Sequence, residues 1–333
     1  MDTAELKRII REIGRGKNTA GDLPRDGART LFTAILNGEI PPLQLGAILI
    51  ALRIKGESLE ELAGFLDACE SGYPHLAAPA GSVPLVIPAY NGARQLPNLT
   101  PLLAHLVART GMPVLVHGVP DDPGRVTTLE IFEAMGIAPA RSLAEAEGQL
   151  AERRLAVIAI DTLAPKLASV LKLRRDIGLR SSGHTLVKML QPFTTQAVRL
   201  VSVTHPEYLE RMRTFFTSYA AHALLLRGAE GEAVAHPRRE PALEWLDGKT
   251  AEVWRAASEG NPELPDSRDA AVTAGWIHAV LAGTRPAPAA IRHQVECCVH
   301  AATNMRTMAW GGIPVFYTSS GWINSRRAGR RVQ

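Results

Sequence analysis

Apolar residues recur at helical spacing through the first seventy positions, and glycine or proline punctuates the gaps. Leu6, Ile9, Ile10 and Ile13 lie on one face of a first helix that stops at Gly14; Ala28, Leu31, Phe32, Ile35 and Leu36 mark a second that runs to Gly38, glycine being a common helix end. A third opens at Pro41-Pro42 and is almost wholly apolar through Leu43, Leu45, Ile48, Leu49 and Leu52, which predicts burial on several sides, inside a bundle or against a second copy. Ser58-Leu-Glu-Glu61 has the form of a capping box, with Leu62, Phe65 and Leu66 supplying the inner face of a fourth helix. Residues 1–72 therefore read as a small N-terminal helical domain.

From about residue 80 the pattern changes to short apolar runs separated by helical stretches. Leu85–Ile87, Val114–Val116, Val157–Ile160, Leu200–Val203 and Leu224–Leu226 are apolar on both faces, as central strands of a mostly parallel sheet are. Helices over 99–110, 127–135 and 142–154 would cover that sheet, giving an α/β domain over 80–163 and 191–333. Binding sites in such sheets lie beyond the strand carboxyl ends. A further helix pair, 267–282 and 288–306, precedes a turn at Ala309–Gly312 and a basic tail; no internal repeat stands out.

The chain has 333 residues, 46% of them hydrophobic and 21% charged, enough for two domains that bury a core without cross-links. Three cysteines, Cys69, Cys297 and Cys298, make no disulfide framework and favour a reducing compartment. The N-terminus lacks the apolar core of a secretory signal, and the longest apolar stretch, Leu45–Leu52, is far short of a bilayer span, so a cytoplasmic location without membrane insertion is expected.

Lysine plus arginine exceed aspartate plus glutamate by 37 to 33, and the distribution matters more than the sum. Between positions 166 and 199 stand Lys166, Lys172, Arg174, Arg175, Arg180, Lys188 and Arg199, with Asp176 the only acid. Lys172 and Arg175 are three apart on a helix and share a face. Arg180-Ser-Ser-Gly-His-Thr185 adds hydroxyls and a glycine that permits close backbone approach, a set suited to phosphate oxygens; the competing reading is a solvated helix face. A second cationic cluster, Arg306, Arg326, Arg327, Arg330 and Arg331, is interleaved with Tyr317 and Trp322, which would suit single-stranded nucleic acid, against the alternative of a frayed terminus.

Two turns follow strand signals, Ala89–Arg94 and His117–Pro120, and both belong at strand carboxyl ends, yet neither conforms to a P-loop or a dinucleotide fingerprint. Asn91-Gly92 is also accounted for as an ordinary turn, as is Asp121-Asp122 beside Pro123-Gly124. His293, Cys297 and His300 share one helix face at a spacing open to soft-metal ligation, although no fourth ligand is evident and core packing is the simpler account. No GxSxG elbow is present, so hydrolase chemistry is unsupported.

The order of these features, a four-helix unit, an α/β body, the segment Leu173-Arg-Arg-Asp-Ile-Gly-Leu-Arg-Ser181 and a strand leading into Thr204-His-Pro-Glu-Tyr-Leu209, resembles anthranilate phosphoribosyltransferase and the wider nucleoside phosphorylase class III fold. The resemblance implies that helices near 164–190 return to the helical domain along the interdomain cleft, that Arg174 matches an anthranilate-contacting arginine with Arg180 following, and that Ser181 stands where the family has threonine. It also marks departures. The glycine-rich diphosphate loop corresponds to the stretch around Tyr90–Arg94, which includes Asn91 and Gly92 and has lost the acids and most glycines. The Lys-His-Gly-Asn-Arg motif appears as Val116–Pro120, keeping His117 and Gly118. The stretch whose final acids bind magnesium aligns with Glu230–Val234, leaving Ala233 and Val234, and alkyl groups offer a hard cation no oxygen.

This combination is similar to the YbiB-type branch of those relatives, which implies a homodimer through the N-terminal helical domain and sequence-nonspecific binding of DNA or RNA, with little or no transferase activity and no cofactor. Lys166, Lys172, Arg174, Arg175, Arg180 and Lys188 are the expected nucleic-acid contacts, displacing condensed counterions along successive phosphates. Asn91, Gly92, His117, Gly118 and Ser181 are the candidates for an ancestral cleft. The alternative is a divergent phosphoribosyltransferase using phosphoribosyl diphosphate, with magnesium if the activity persists.

Overall fold

The computed structural model describes residues 2–309 apart from Lys17, Ala220, Glu240, Pro241 and 257–259, together with the backbone of 316–318 and 321–323. Four helices open the chain: α1 (Thr3–Ile13), α2 (Arg25–Leu36), α3 (Pro42–Lys55) and α4 (Leu59–Glu70). The expected capping box is present, with Ser58 Oγ accepting from the Glu61 amide and Glu61 accepting from the Ser58 amide. Phe32 and Phe65 pack with ring centroids 4.9 Å apart where α2 meets α4.

The α/β part follows as β1 (Leu85–Ala89), α5 (Thr100–Arg109), β2 (Val114–Gly118), α6 (Thr128–Ala134), α7 (Leu143–Arg153) and β3 (Leu155–Ala159). The chain then passes through α8 (Ile160–Leu163), α9 (Pro165–Lys172), α10 (Arg174–Ile177) and α11 (Gly183–Leu186) before β4 (Val198–Ser202), α12 (Pro206–Ser218), β5 (His222–Leu226), β6 (Ala242–Asp247), β7 (Ala251–Arg255), α13 (Ala270–Leu281) and α14 (Ala289–Ala309). Helix α9 packs on α2 and α11 on α4, so the basic segment leaves the sheet and lies on the helical unit. Strand order is β3-β2-β1-β4-β5-β6-β7, parallel from β3 to β5 and antiparallel beyond. The architecture is a small helical domain on a larger α/β domain with a mostly parallel sheet.

Alternation along each strand divides the apolar residues between two cores. Val86, Leu115, Ile158 and Val201 face a core continuous with that of the helical unit. Leu85, Ile87, Val116, Val157 and Leu200 face a second core, roofed by α5, α6, α13 and α14.

One alternative for helix α3, enclosure within the bundle, is corrected: Ile48, Leu49 and Leu52 are buried, but Leu43 and Ile54 are 85% and 58% exposed within the chain. The antiparallel edge pair β6–β7 is absent from the predicted strands, because Ala242–Asp247 carries an acid at an inward position. Glu244 is buried there against Arg213, whose Nη2 donates to it at 2.9 Å. The Asp247-Gly248 turn that joins the pair is the signal that would have found it: Asp247 accepts from the Lys249 and Thr250 amides, and Gly248 has φ +85°.

Candidate anion-binding cleft

Strand order reverses around β1, which pairs with β2 through Ala89 on one side and with β4 at Leu85 and Val86 on the other. A crevice at such a switch point opens beyond the strand carboxyl ends. Two adjoining cavities, of about 560 and 740 Å³, occupy that place. Loops behind β1, β2, β4 and β5 form one wall; α9 to α11 form the other.

Most of the singled-out cations arrive here. Arg174, Arg180 and Lys188 line the first cavity, and Lys172, Arg174 and Arg175 the second. Lys166 lies elsewhere, donating to Asn37 Oδ1 at 2.7 Å on the helical unit. Arg199 is an inner strand residue that donates to the carbonyls of His222 and Met189 and lies under the Phe216 ring. Three further cations were not anticipated. Arg53 on α3 donates to the Arg180 carbonyl at 2.7 Å, Arg125 donates to the Asn91 carbonyl at 3.1 Å, and Arg94 lines the second cavity. Each lies outside the cationic segment of 166–199, so only folding gathers them.

Of the acids that face these cations, Asp121 and Asp122 come from a distant part of the chain and Asp161 from just ahead of α9. Asp161 pairs with Lys172, Asp122 Oδ2 lies 3.2 Å from Arg174, and Asp121 Oδ2 lies 2.9 Å from Arg175. Asp121-Asp122 is the expected turn, with Asp122 Oδ1 accepting from the Gly124 amide, and in addition a bridge across the cleft. Arg180 bonds the Asn91 side chain; burial and the charges of Arg174 and Arg125 lower its pKa to about 10, so it stays charged at neutral pH. Lys188 donates to the carbonyls of Ser202 and Gly231, at 3.2 and 3.1 Å, and burial lowers its pKa to about 8. His184 accepts from the Ser181 amide at 3.2 Å and is driven to about 3, chiefly by burial, so it is a neutral ring. Ser181 Oγ has no partner.

The remaining cleft candidates have structural placements. His117 is fully buried in β2, 2.6 Å from the Tyr90 hydroxyl, and burial depresses its pKa to about 3. Gly118 admits the neighbouring strand: a Cβ would sit 2.3 Å from the Ala89 carbonyl oxygen. Gly92, at φ +69°, would place one 2.9 Å from that of Val126.

Behind β1, the backbone amides of Asn91 and Gly92 and those of Arg94, Gln95 and Leu96 form two groups of donors, with the Ala93 amide between them donating to the Val126 carbonyl at 2.7 Å; such groups attract anions. Two carboxylates of the chain take them. Glu232 Oε1 accepts from the Asn91 and Gly92 amides at 2.6 and 2.5 Å, and its Oε2 from Thr128 Oγ1 at 3.3 Å. Glu230 accepts from the Arg94, Gln95 and Leu96 amides at 2.7, 3.0 and 3.3 Å. Glu232 is 2% exposed, and burial raises its pKa against the opposing pull of those amides. Ala233 and Val234 sit in the core. Among the described residues no three histidine, cysteine or acidic side chains gather as a metal would require. The two nearby carboxylates, Glu232 and Glu230, are engaged by backbone amides.

On α14, Cys297 Sγ is 3.5 Å from His293 Nε2, burial pushes the thiol up to about 12, and His300 packs edge-on against Trp254. Among the described residues no set of three histidine, cysteine or acidic side chains gathers there. Arg326, Arg327, Arg330, Arg331, positions 310–312 of the expected turn and the side chains of Tyr317 and Trp322 lie outside the described residues.

Comparison with known proteins places this geometry in a class. Residues 7–71 match the helical bundle domain of the glycosyl transferase family. The fold is that of anthranilate phosphoribosyltransferase (TrpD) from Thermus thermophilus, with a TM-score of 0.70 at 21% identity over 93% of this chain and 90% of that one. The chain is also 28% identical to the anthranilate phosphoribosyltransferase of Desulfitobacterium hafniense (strain Y51), over 64% of its own length and 61% of the relative's. A further relative, the uncharacterized protein YbiB of Escherichia coli (strain K12), is 44% identical over 92% of this chain and 97% of its own. The chain belongs to the YbiB and TrpD-like family of glycosyltransferase family 3 proteins.

Proposed function

We propose that the chain binds DNA or RNA without sequence preference along the cleft, and that it carries out little or no phosphoribosyl transfer. The observation that carries this reading is the convergence of Arg53, Arg94, Arg125 and five of the six cations singled out in the sequence on two adjoining cavities at the strand ends. Cations spaced along a groove replace the counterions of successive phosphates, and such contacts carry no base information. The acids Asp121, Asp122 and Asp161 hold the groove in order until a polyanion takes their place. Transfer is disfavoured by the same loop chemistry: the amides behind β1 and the two carboxylates beside them, Glu230 and Glu232, are bonded to each other.

A homodimer through the helical domain accompanies this reading. Leu43, Ala47, Ile50 and Ile54 form an open apolar face on α3, which suits a symmetric contact. Two clefts on one dimer raise the avidity for a single strand through effective concentration.

The test is a fluorescence titration with single- and double-stranded oligonucleotides of unrelated sequence at several salt concentrations, run beside an assay for consumption of anthranilate and phosphoribosyl diphosphate. Affinity falls steeply with salt, no substrate is consumed, and the combined variant Lys172→Glu, Arg174→Glu, Arg175→Glu binds at least about tenfold more weakly on every sequence. Salt-independent binding, or unaltered affinity in a folded variant, would remove the cleft from the site. Magnesium-dependent turnover would replace this reading with the transferase.

A further inference from the structure

The first cavity is not cationic throughout. Arg53 from α3, Arg125 from the loop behind β2, and Arg174 and Arg180 from the segment that returns to the helical unit supply its positive lining. The chain just past β4 and the opening turns of α12 supply a different surface: Val203 and Tyr208, both half-buried, and Met212, buried in the core behind them. Leu179, between Gly178 and Arg180, lines the same cavity and is 45% exposed. A site for phosphates alone gains nothing from a leucine left in water, because that exposure forgoes the free energy of its burial. Tyr208 is also held in place. Arg211, three residues on along α12, lies over the tyrosine ring, 5.4 Å from its centroid, and its guanidinium is 3.4 Å from Glu57 Oε2. Gly56, at φ +78°, makes room for that guanidinium, since a Cβ there would stand 3.2 Å from Arg211 Nη2. The His205 ring is 6.5 Å from that of Tyr208. The acids of the lining point the same way. Glu57 is bonded by Ser182 and Arg211, and Glu230, left-handed at φ +52°, by the amides of Arg94, Gln95 and Leu96. Glu207 is exposed one residue before Tyr208, so this side of the cavity repels a phosphate and favours an uncharged group.

We propose that Tyr208 is a nucleobase platform: one unpaired base of a bound strand stacks on its ring, with Leu179 as apolar surroundings, while the phosphates on either side of that base lie on Arg53, Arg174 and Arg180. The inference rests on the nucleic-acid reading and narrows it to strands that have unpaired bases. A duplex offers only base edges, in its grooves, because the faces are already stacked on one another; a single strand can turn a base out. Stacking uses the π-face that every base has, so the platform adds affinity without adding sequence preference. The cavity then divides its labour, with guanidinium groups for the backbone and a cation-backed ring for the base.

Three probes of about twelve nucleotides separate the base from the phosphates: a single strand of mixed sequence, the same sequence as a duplex, and an abasic strand that keeps the sugar-phosphate chain and has no bases. In fluorescence titrations at about 0.1 M salt, the unaltered chain binds the single strand at least about fivefold more tightly than the abasic strand. Tyr208→Ala weakens the single strand at least about fivefold more than it weakens the abasic strand or the duplex, and Tyr208→Phe, which keeps the ring, recovers most of that loss. If Tyr208→Ala does not fold, Leu179→Ala at its exposed position carries the test, with a loss of about threefold on the single strand relative to the abasic one. Equal affinity of the unaltered chain for strands with and without bases overturns the platform and leaves the phosphate cleft standing. Equal losses on all three probes in Tyr208→Ala also overturn it, because the tyrosine would then only shape the cleft, as does a folded variant that loses nothing. Failure of the unaltered chain to bind any probe removes the nucleic-acid reading itself and the platform with it.

Discussion

Along one wall of the cleft the cations of α9 and α10 meet their partners in the open; along the other, the amides behind β1 meet theirs under cover. Arg175 and Asp121 are both more than 60% exposed, and Lys172 is 59% exposed beside Asp161. Pairs of this kind contribute about 0–1 kcal/mol each, because water and salt compete for both partners. The Glu232 carboxylate is almost wholly excluded from water, and each of its charge-assisted bonds is worth roughly 1.5–3 kcal/mol. Both walls are chemically matched to anions. The difference in exposure makes one wall exchangeable and the other structural, with Glu230 between the two.

That contrast breaks most visibly at Glu232. Replacement by alanine leaves the Asn91 and Gly92 amides without an acceptor and Lys188 beside an uncompensated site. The expected loss is about 2–4 kcal/mol in denaturant unfolding, with the midpoint falling and the slope unchanged. Glu232→Gln keeps an acceptor and loses less. A change below about 0.5 kcal/mol for the alanine variant would mean that the amides are satisfied by water and that this wall too is open.

The exchangeable wall predicts a smaller effect of opposite sign. Asp121→Asn with Asp122→Asn removes the two acids that hold Arg175 and Arg174, at the cost of weak surface pairs. Oligonucleotide affinity at about 0.1 M salt rises roughly threefold to tenfold, and the dependence of log affinity on log salt steepens by about 1–2. Stability changes by less than about 1 kcal/mol, since the Asp122 turn retains its side-chain oxygen for the Gly124 amide. An affinity that falls would show that the aspartates orient the arginines productively rather than mask them.

Much of this arrangement is legible in the chain itself. The helical unit, the five parallel strands and their covering helices follow from apolar periodicity, because both faces of each strand are buried and each helix shows one apolar face. The positions of the first cations follow from their clustering between 166 and 188. What periodicity does not carry is pairing across the fold. Asp161, Asp121 and Asp122 are ordinary acids in the sequence, and the apparent excess of seven cations over one anion is reduced only when the segments behind two strands, β2 and β3, bring them to the cations. Arg53, Arg94 and Arg125 lie in unrelated segments far from the cationic stretch, gathered by the return of α9 to α11 onto the bundle. Glu230 and Glu232 occupy the stretch aligned with metal-binding acids, and their use as backbone acceptors depends on a left-handed residue that no local propensity demands. The edge pair β6–β7 is hidden for a similar reason, an inward glutamate whose arginine partner lies on α12.

Lys166 gives the finest distinction between charge that belongs to the cleft and charge that merely neighbours it in sequence. It lies six residues before Lys172, but α9 turns it away from both cavities toward Asn37 at the end of α2. At about 0.1 M salt the Debye length is about 10 Å, so a cation outside the groove adds little to phosphates within it. Lys166→Ala therefore changes oligonucleotide affinity by less than about twofold and leaves the salt slope unaltered, whereas Lys172→Ala on the same helix lowers affinity by roughly threefold to fivefold and reduces the slope by about 1. Equal losses for the two lysines would mean that the polyanion runs over the outer surface of the helical unit instead of between it and the sheet, and the division between the two walls would lose its bearing on binding.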